Sequence, residues 1–83
     1  MLEDIGKNAI IGSKQVMRAM QEGKLQRVYL ANNVDAFLRG KVCEAARAAG
    51  VEVTPAPNMK ELGQACRIDV GAACVGIPRE RRE

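Results

Sequence analysis

The chain has 83 residues, enough for one small domain and too few for two. Hydrophobic residues make up 47%, and Val, Ile, Leu and Phe together supply 19 of 83, so a thin but real core is expected, closed up by twelve alanines. A net charge of +3 permits an anionic partner without demanding one, and the absence of histidine excludes His-based acid–base and triad chemistry.

Taken in chain order, Met1-Leu2-Glu3-Asp4 is acidic and lacks the apolar stretch of a signal peptide, so export is not expected. Residues 1–8 read as a short leading helix. Ala9-Ile10-Ile11 is an apolar run ending at Gly12, a short buried strand. Ser13 offers an N-cap for a helix over 14–22. Val16, Met17, Ala19 and Met20 fall on its inner face, and Lys14, Gln15, Arg18 and Gln21 on its outer face. Gly23 is its stop. Residues 27–31, with Val28-Tyr29-Leu30, give a second strand. After the Asn32-Asn33 turn, Asp35 caps a long helix over 36–49, with Leu38, Val42, Ala45, Ala46 and Ala49 inside and Gly50 at its end. Val51-Glu52-Val53 alternates as a third strand, cut off by Pro55 and Pro57. Asn58 and Glu61 form a capping-box pattern for a third helix lined by Met59, Leu62, Ala65 and Cys66. The loop Arg67-Ile68-Asp69-Val70-Gly71 leads into a last strand over 72–77. The order β-α-β-α-β-α-β implies an α/β fold: a three-layer α/β/α sandwich around a small mixed sheet of about four strands. Residues 1–78 form the domain, and 79–83 a charged tail that frays.

The three cysteines, without CxxC spacing, suit neither a disulfide framework nor zinc. They read as buried thiols in a cytoplasmic protein, and Met17, Met20 and Met59 as core fillers. No cofactor is indicated, no run is long enough to span a membrane, and nothing requires more than a monomer. One Tyr, one Phe and no Trp leave no aromatic platform for stacking bases.

Two places can carry binding chemistry. In Gly12-Ser13-Lys14-Gln15-Val16-Met17-Arg18 a glycine leads from a strand into a helix start, where free N–H groups and the helix dipole favour an anionic group. Lys14 and Arg18 can donate to guanine edges, and the Gln15 amide can donate and accept. A solvated helix face is the commoner meaning of such a pattern, and the GxxxxGK[ST] of a P-loop is absent. The second place is the loop 67–71, preceded by Lys60, Leu62 and Gly63. Ile68 and Val70 are either an exposed apolar pair beside Arg67, able to lie against unstacked bases, or the inward side chains of the last strand. Gly63 inside a helix points to a close approach by another backbone or a ligand. Lys24 and Arg27 flank the turn after the first capped helix, where they are either plain solvated side chains or able to reach a phosphate.

Four segments then combine: Ile10-Ile11-Gly12-Ser13-Lys14-Gln15; Val28-Tyr29-Leu30-Ala31 with Asn32-Asn33-Val34-Asp35; Lys60-Glu61-Leu62-Gly63-Gln64-Ala65-Cys66; and Ile68-Asp69-Val70-Gly71-Ala72-Ala73. In this order and spacing the chain closely resembles the kink-turn-binding ribosomal protein superfamily of the large-subunit seven-Ae and thirty-e types. It is most similar to the short bacterial branch of YbxF- and YlxQ-like proteins. The resemblance implies the same three-layer sandwich and binding to a kink-turn, an RNA helix sharply bent beside tandem sheared G·A pairs.

The family's GxNExxK motif matches Gly12, Lys14, Gln15 and Arg18, with Lys14-Gln15 in place of Asn-Glu and Arg in place of the last Lys. Its hydrophobic loop corresponds to Ile68-Asp69-Val70, and its lysine before Leu-Gly to Lys60. Ala36 stands where the family often has Pro. On this reading Lys24, Arg27 and Lys60 add phosphate attraction, and Ser13 and Arg67 count among the RNA-binding residues of the two contact segments. The protein is then a non-catalytic binder of structured RNA, working with the ribosome or another ribonucleoprotein. The alternative is a protein-interaction adaptor on ribonucleoprotein complexes, using the same fold. A small enzyme or nucleotide binder ranks last.

Overall fold

A computed structural model of the chain describes residue 5 and residues 8–79. The expected leading helix falls mostly, and the end of the charged tail entirely, outside the described residues. Among the described residues seven elements follow in the expected order: β1 (Ile10–Ile11), α1 (Ser13–Gln21), β2 (Leu25–Ala31), α2 (Ala36–Ala49), β3 (Glu52–Ala56), α3 (Met59–Ala65) and β4 (Cys74–Pro78). The strands form one sheet in the order β1-β4-β2-β3. β2 pairs parallel with β3, while β4 runs antiparallel to both β1 and β2. β1, β2 and β3 therefore point one way and β4 the other.

Two clusters of buried side chains lie on the two faces of this sheet. Val28 and Leu30 of β2, with Cys74 of β4, pack against Val16, Ala19 and Met20 of α1 and Val42 and Ala46 of α2. Tyr29, Ala31, Ala56 and Val75 pack on the other face against Leu62 of α3 and Ala72. The result is the three-layer α/β/α sandwich, with a Cα radius of gyration of 11.6 Å. A register shift at the start of β2 puts Leu25 opposite Pro78 and Arg27 opposite Ile77, leaving Gln26 as an extra residue. That bulge turns Leu25 onto the same face as Val28. Leu25 is fully buried there, seated on Gly76, where a Cβ would lie 2.6 Å from Leu25 Cδ1.

Several boundaries differ from expectation for physical reasons. β1 spans two residues and leaves Ala9 outside, while β2 begins two residues early, at Leu25, because of the bulge. The N-cap of α1 is Gly12, not Ser13, which is already helical, and α1 ends at Gln21 with Glu22 as its C-cap. β3 runs through Pro55 to Ala56 instead of stopping at Val53, with Pro55 opposite Leu30. Proline is tolerated there because β3 is an edge strand, whose second side has no ladder to break. β4 begins at Cys74, so 72–73 remain connection. Asp35 and Asn58 cap as expected, accepting from Leu38 N at 2.7 Å and Glu61 N at 2.8 Å. The cysteines are all free; Cys74 is buried, but Cys43 and Cys66 are only half-buried.

Candidate nucleic-acid interface

The strand directions decide where side chains can meet. The C-terminal ends of β1, β2 and β3 lie at one end of the sheet, and each feeds a helix. The starts of α1, α2 and α3 therefore share that end, together with the 66–73 connection that enters β4 from it. Backbone bonds tie these pieces together: Gly12 N to Cys74 O at 3.2 Å, Ala31 N to Ala73 O at 3.0 Å, Asn32 N to Ala56 O at 2.9 Å, and Ala72 N to Met59 O at 2.9 Å. Asn33 Oδ1 accepts from Met59 N at 2.9 Å and links the β2–α2 turn to the start of α3.

At the start of α1 Gly12 has φ 108°, a conformation that glycine adopts without strain. The Gln15 side chain folds back over it, so a Cβ at Gly12 would lie 2.7 Å from Gln15 Oε1. Among the described residues no side chain caps this helix, and its first turn holds no acidic residue. Its first N–H groups are therefore left without a capping side chain, in a turn that carries Lys14. Lys14, Gln15 and Arg18, all exposed, line a shallow hollow of about 100 Å³. Ser13 is half-buried behind them.

The loop resolves its two alternatives by splitting them. Ile68 turns inward and packs with the α3-side cluster, while Val70 is 70% exposed. The cause is a lock between α3 and the loop. A Cβ at Gly63 would overlap the Val70 carbonyl oxygen and lie 3.1 Å from Gly71 Cα, so only glycine lets the loop lie this close. The close approach expected at Gly63 is thus made by backbone. Arg67 and Asp69 are exposed, and Lys60 is exposed in the first turn of α3.

Gly12, Ser13, Lys14, Gln15, Arg18, Lys60, Arg67, Ile68, Asp69 and Val70 therefore belong to elements that meet at one end. Lys24 and Arg27 do not. Lys24 precedes β2 at the far end, paired with Glu22 at 3.1 Å, and its carbonyl accepts from Arg79 N at 2.8 Å. Arg27 lies about 13 Å along β2 from Ala31, paired with Glu52 at 3.5 Å. It borders a separate hollow of about 320 Å³ with Gln26, Tyr29 and Ile77.

Two residues at the candidate end escape a reading of the sequence. Asn33 reads there only as part of a turn. Phe37, in the first turn of α2, is 75% exposed, with the Lys41 ammonium 5.3 Å from its ring centroid. Composition suggests no aromatic platform, yet one ring stands exposed, with Lys41 over it. Its place outside the Leu38–Val42–Ala46 stripe is the signal that could find it.

Burial pushes the Cys74 thiol up to about 11, and burial also raises Cys66. Neither thiol is activated. Among the described residues no group of three or more His, Cys, Asp or Glu could hold a metal ion. No described helix is long and apolar enough to cross a membrane.

Comparison with known proteins identifies the family and the fold. The sequence pattern of the ribosomal protein L7Ae/L30e/S12e/Gadd45 family matches residues 4–82. The chain belongs to that family, on its YbxF-like branch. It is 49% identical over 70 residues to an RNA-binding protein of Geobacillus sp. (strain WCH70), and 47% identical over 70 residues to the RNA-binding protein YbxF of Geobacillus stearothermophilus. Each match covers 84% of this chain and 85% of the relative. Among solved structures, a Bacillus halodurans protein of unknown function superposes with a TM-score of 0.80 at 21% identity, over 86% of this chain and 71% of that one. A Giardia lamblia 15.5 kD RNA-binding protein superposes with a TM-score of 0.81 at 20% identity, over 87% of this chain and 61% of that one. At such identities these two likenesses establish the fold alone.

Proposed function

We propose that this chain is a non-catalytic RNA-binding protein that recognises a kink-turn and holds it bent. One observation carries the reading: the sheet gathers the open start of α1, with Lys14, Gln15 and Arg18, and the glycine-locked loop, with Val70 exposed, at a single end. The first group offers donors and an amide for the edges of sheared G·A pairs. The second offers an apolar contact for an unstacked base. Relatives at 47–49% identity that carry the description RNA-binding protein support the partner class. The protein acts as a cytoplasmic monomer on ribosomal or other structured RNA. It bends nothing by force: binding shifts the RNA population by its differential affinity for the kinked state.

The test is a titration at two salt concentrations with a short kink-turn RNA and with the same RNA whose G·A pairs are made Watson–Crick. Tight binding to the first that is lost in the second is expected. Each guanine contact should contribute about 1–3 kcal/mol. The Gln15→Ala/Arg18→Ala double variant should keep its melting temperature and lose the preference. Equal, weak and strongly salt-dependent binding to both RNAs would reduce the interface to a basic surface.

A further inference from the structure

We propose that Arg67 is a phosphate contact of the bound RNA, retained in a backbone position that calls for glycine. The inference rests on the RNA-binding reading above and deepens it.

The end of α3 is closed by two bonds, Arg67 N to Gln64 O at 3.0 Å and Ile68 N to Gly63 O at 3.2 Å. This closure needs a left-handed residue between helix and loop. Arg67 supplies it with φ 63°, and it is the only non-glycine residue with positive φ among those described. The other two helices close in the same way on Gly23, φ 71°, and Gly50, φ 69°. The chain itself therefore shows which residue this geometry favours. A side chain in this conformation crowds its own backbone, and Arg has no short polar group to bond locally in compensation.

Nothing nearby repays that strain. Arg67 is exposed, and among the described residues its guanidinium has no carboxylate, carbonyl or ring as partner. The loop holds the conformation from outside, through the Gly63–Val70 lock and the Ala72–Met59 bond. Strained backbone kept in place by its surroundings is a mark of a functional position. Arg67 also stands three residues before the exposed Val70, at the end of the sheet that carries Lys14, Arg18 and Lys60. Reading a base edge needs a guanidinium held in one orientation, and no neighbour holds this one. A free guanidinium suits a phosphate, whose oxygens accept its planar fork from many approaches.

Arg67→Gly, Arg67→Ala and Arg67→Lys separate the two roles. Thermal unfolding is measured for each, with titration of a kink-turn RNA and its G·A-disrupted control across a salt series. Arg67→Gly should melt a few degrees higher than the parent, whereas Arg67→Ala, which keeps a Cβ, should not. Both should bind the kink-turn RNA about 3- to 10-fold more weakly near about 0.1 M salt, with a salt slope smaller by about 1. Their preference for the kinked RNA should be unchanged. Arg67→Lys should keep most of the affinity and none of the thermal gain.

Parental affinity and slope in Arg67→Gly would overturn the contact. No thermal gain in Arg67→Gly would overturn the strain. A loss of preference with an unchanged slope would overturn the phosphate assignment in favour of a base edge. A parent protein that does not discriminate the two RNAs would instead refute the kink-turn reading, and this inference with it.

Discussion

Two glycine-to-alanine substitutions in helices should have opposite signs. In an exposed helix interior Gly→Ala stabilises by about 0.5–1 kcal/mol. Gly40 in α2 is such a site, exposed and with nothing within 4 Å of the place a Cβ would take. Gly63 in α3 is not. Its Cβ would overlap the Val70 carbonyl oxygen and crowd Gly71 Cα at 3.1 Å. Both obstacles are backbone, which cannot rotate aside, so the loop must lift off α3. Forcing extra volume into such a contact costs typically about 1–3 kcal/mol. The lifted loop also loosens Ile68 from its cluster, which places the cost near the top of that range. Less the propensity gain, Gly63→Ala should destabilise by about 2 kcal/mol, or roughly 10 °C in melting temperature for a domain of this size. Urea unfolding with a free fit of the slope m reads both variants. Gly40→Ala should move the midpoint up and Gly63→Ala down, with m unchanged. If Gly63→Ala were as stable as the parent, the lock between α3 and the loop would not exist, and the account of Val70's exposure would fail with it.

Three further outcomes follow from the same geometry. Asp35→Ala removes the acceptor of the 2.7 Å bond from Leu38 N and should cost about 1 kcal/mol by thermal melting, while Asp35→Asn should be nearly neutral. Cys74 should be the last thiol to react with a disulfide reagent at pH 8, and reaction at the rate of Cys43 would contradict its burial. Because its folded pKa, about 11, lies above the ordinary value of 9.0, the folded state binds more protons than the unfolded state between those values. The stabilisation is fully present below pH 9 and is lost as pH rises towards 11, by at most about 1.4 kcal/mol per pH unit. Replacing Cys74 by Ala should remove that part of the alkaline decline.

The order of elements is legible because nearly every boundary carries its own local chemistry. Gly23 and Gly50 end helices, and Asp35 and Asn58 begin them, whatever the rest of the chain does. What escapes depends on distant residues. Pro55 reads as a strand breaker until β3 is known to be an edge. Gly12 and Ser13 are both good caps, and the Gly12 N to Cys74 O bond, 62 residues apart in sequence, helps fix which one serves. The divergence of Ile68 and Val70 follows from the Gly63 contact and from a positive φ at an arginine, which no pattern of polarity announces. The α1 half of the candidate site is readable from a strand, a glycine and a run of polar residues. Lys24 and Arg27 look like its neighbours because sequence distance hides the length of α1, about 13 Å for nine residues.

The sheet has two rims, and both resist extension. β1 offers only Ile10 and Ile11, too little to template another strand. On the opposite rim Pro55 removes a donor midway along β3, and Pro57 follows just beyond it. A free strand meeting either rim finds no continuous ladder to join, the situation that keeps small sheets from stacking into fibres. Crowded solutions should therefore not draw this protein into β-type aggregates, and its recognition surface, set at the end of the strands, stays clear of the route by which such assemblies grow.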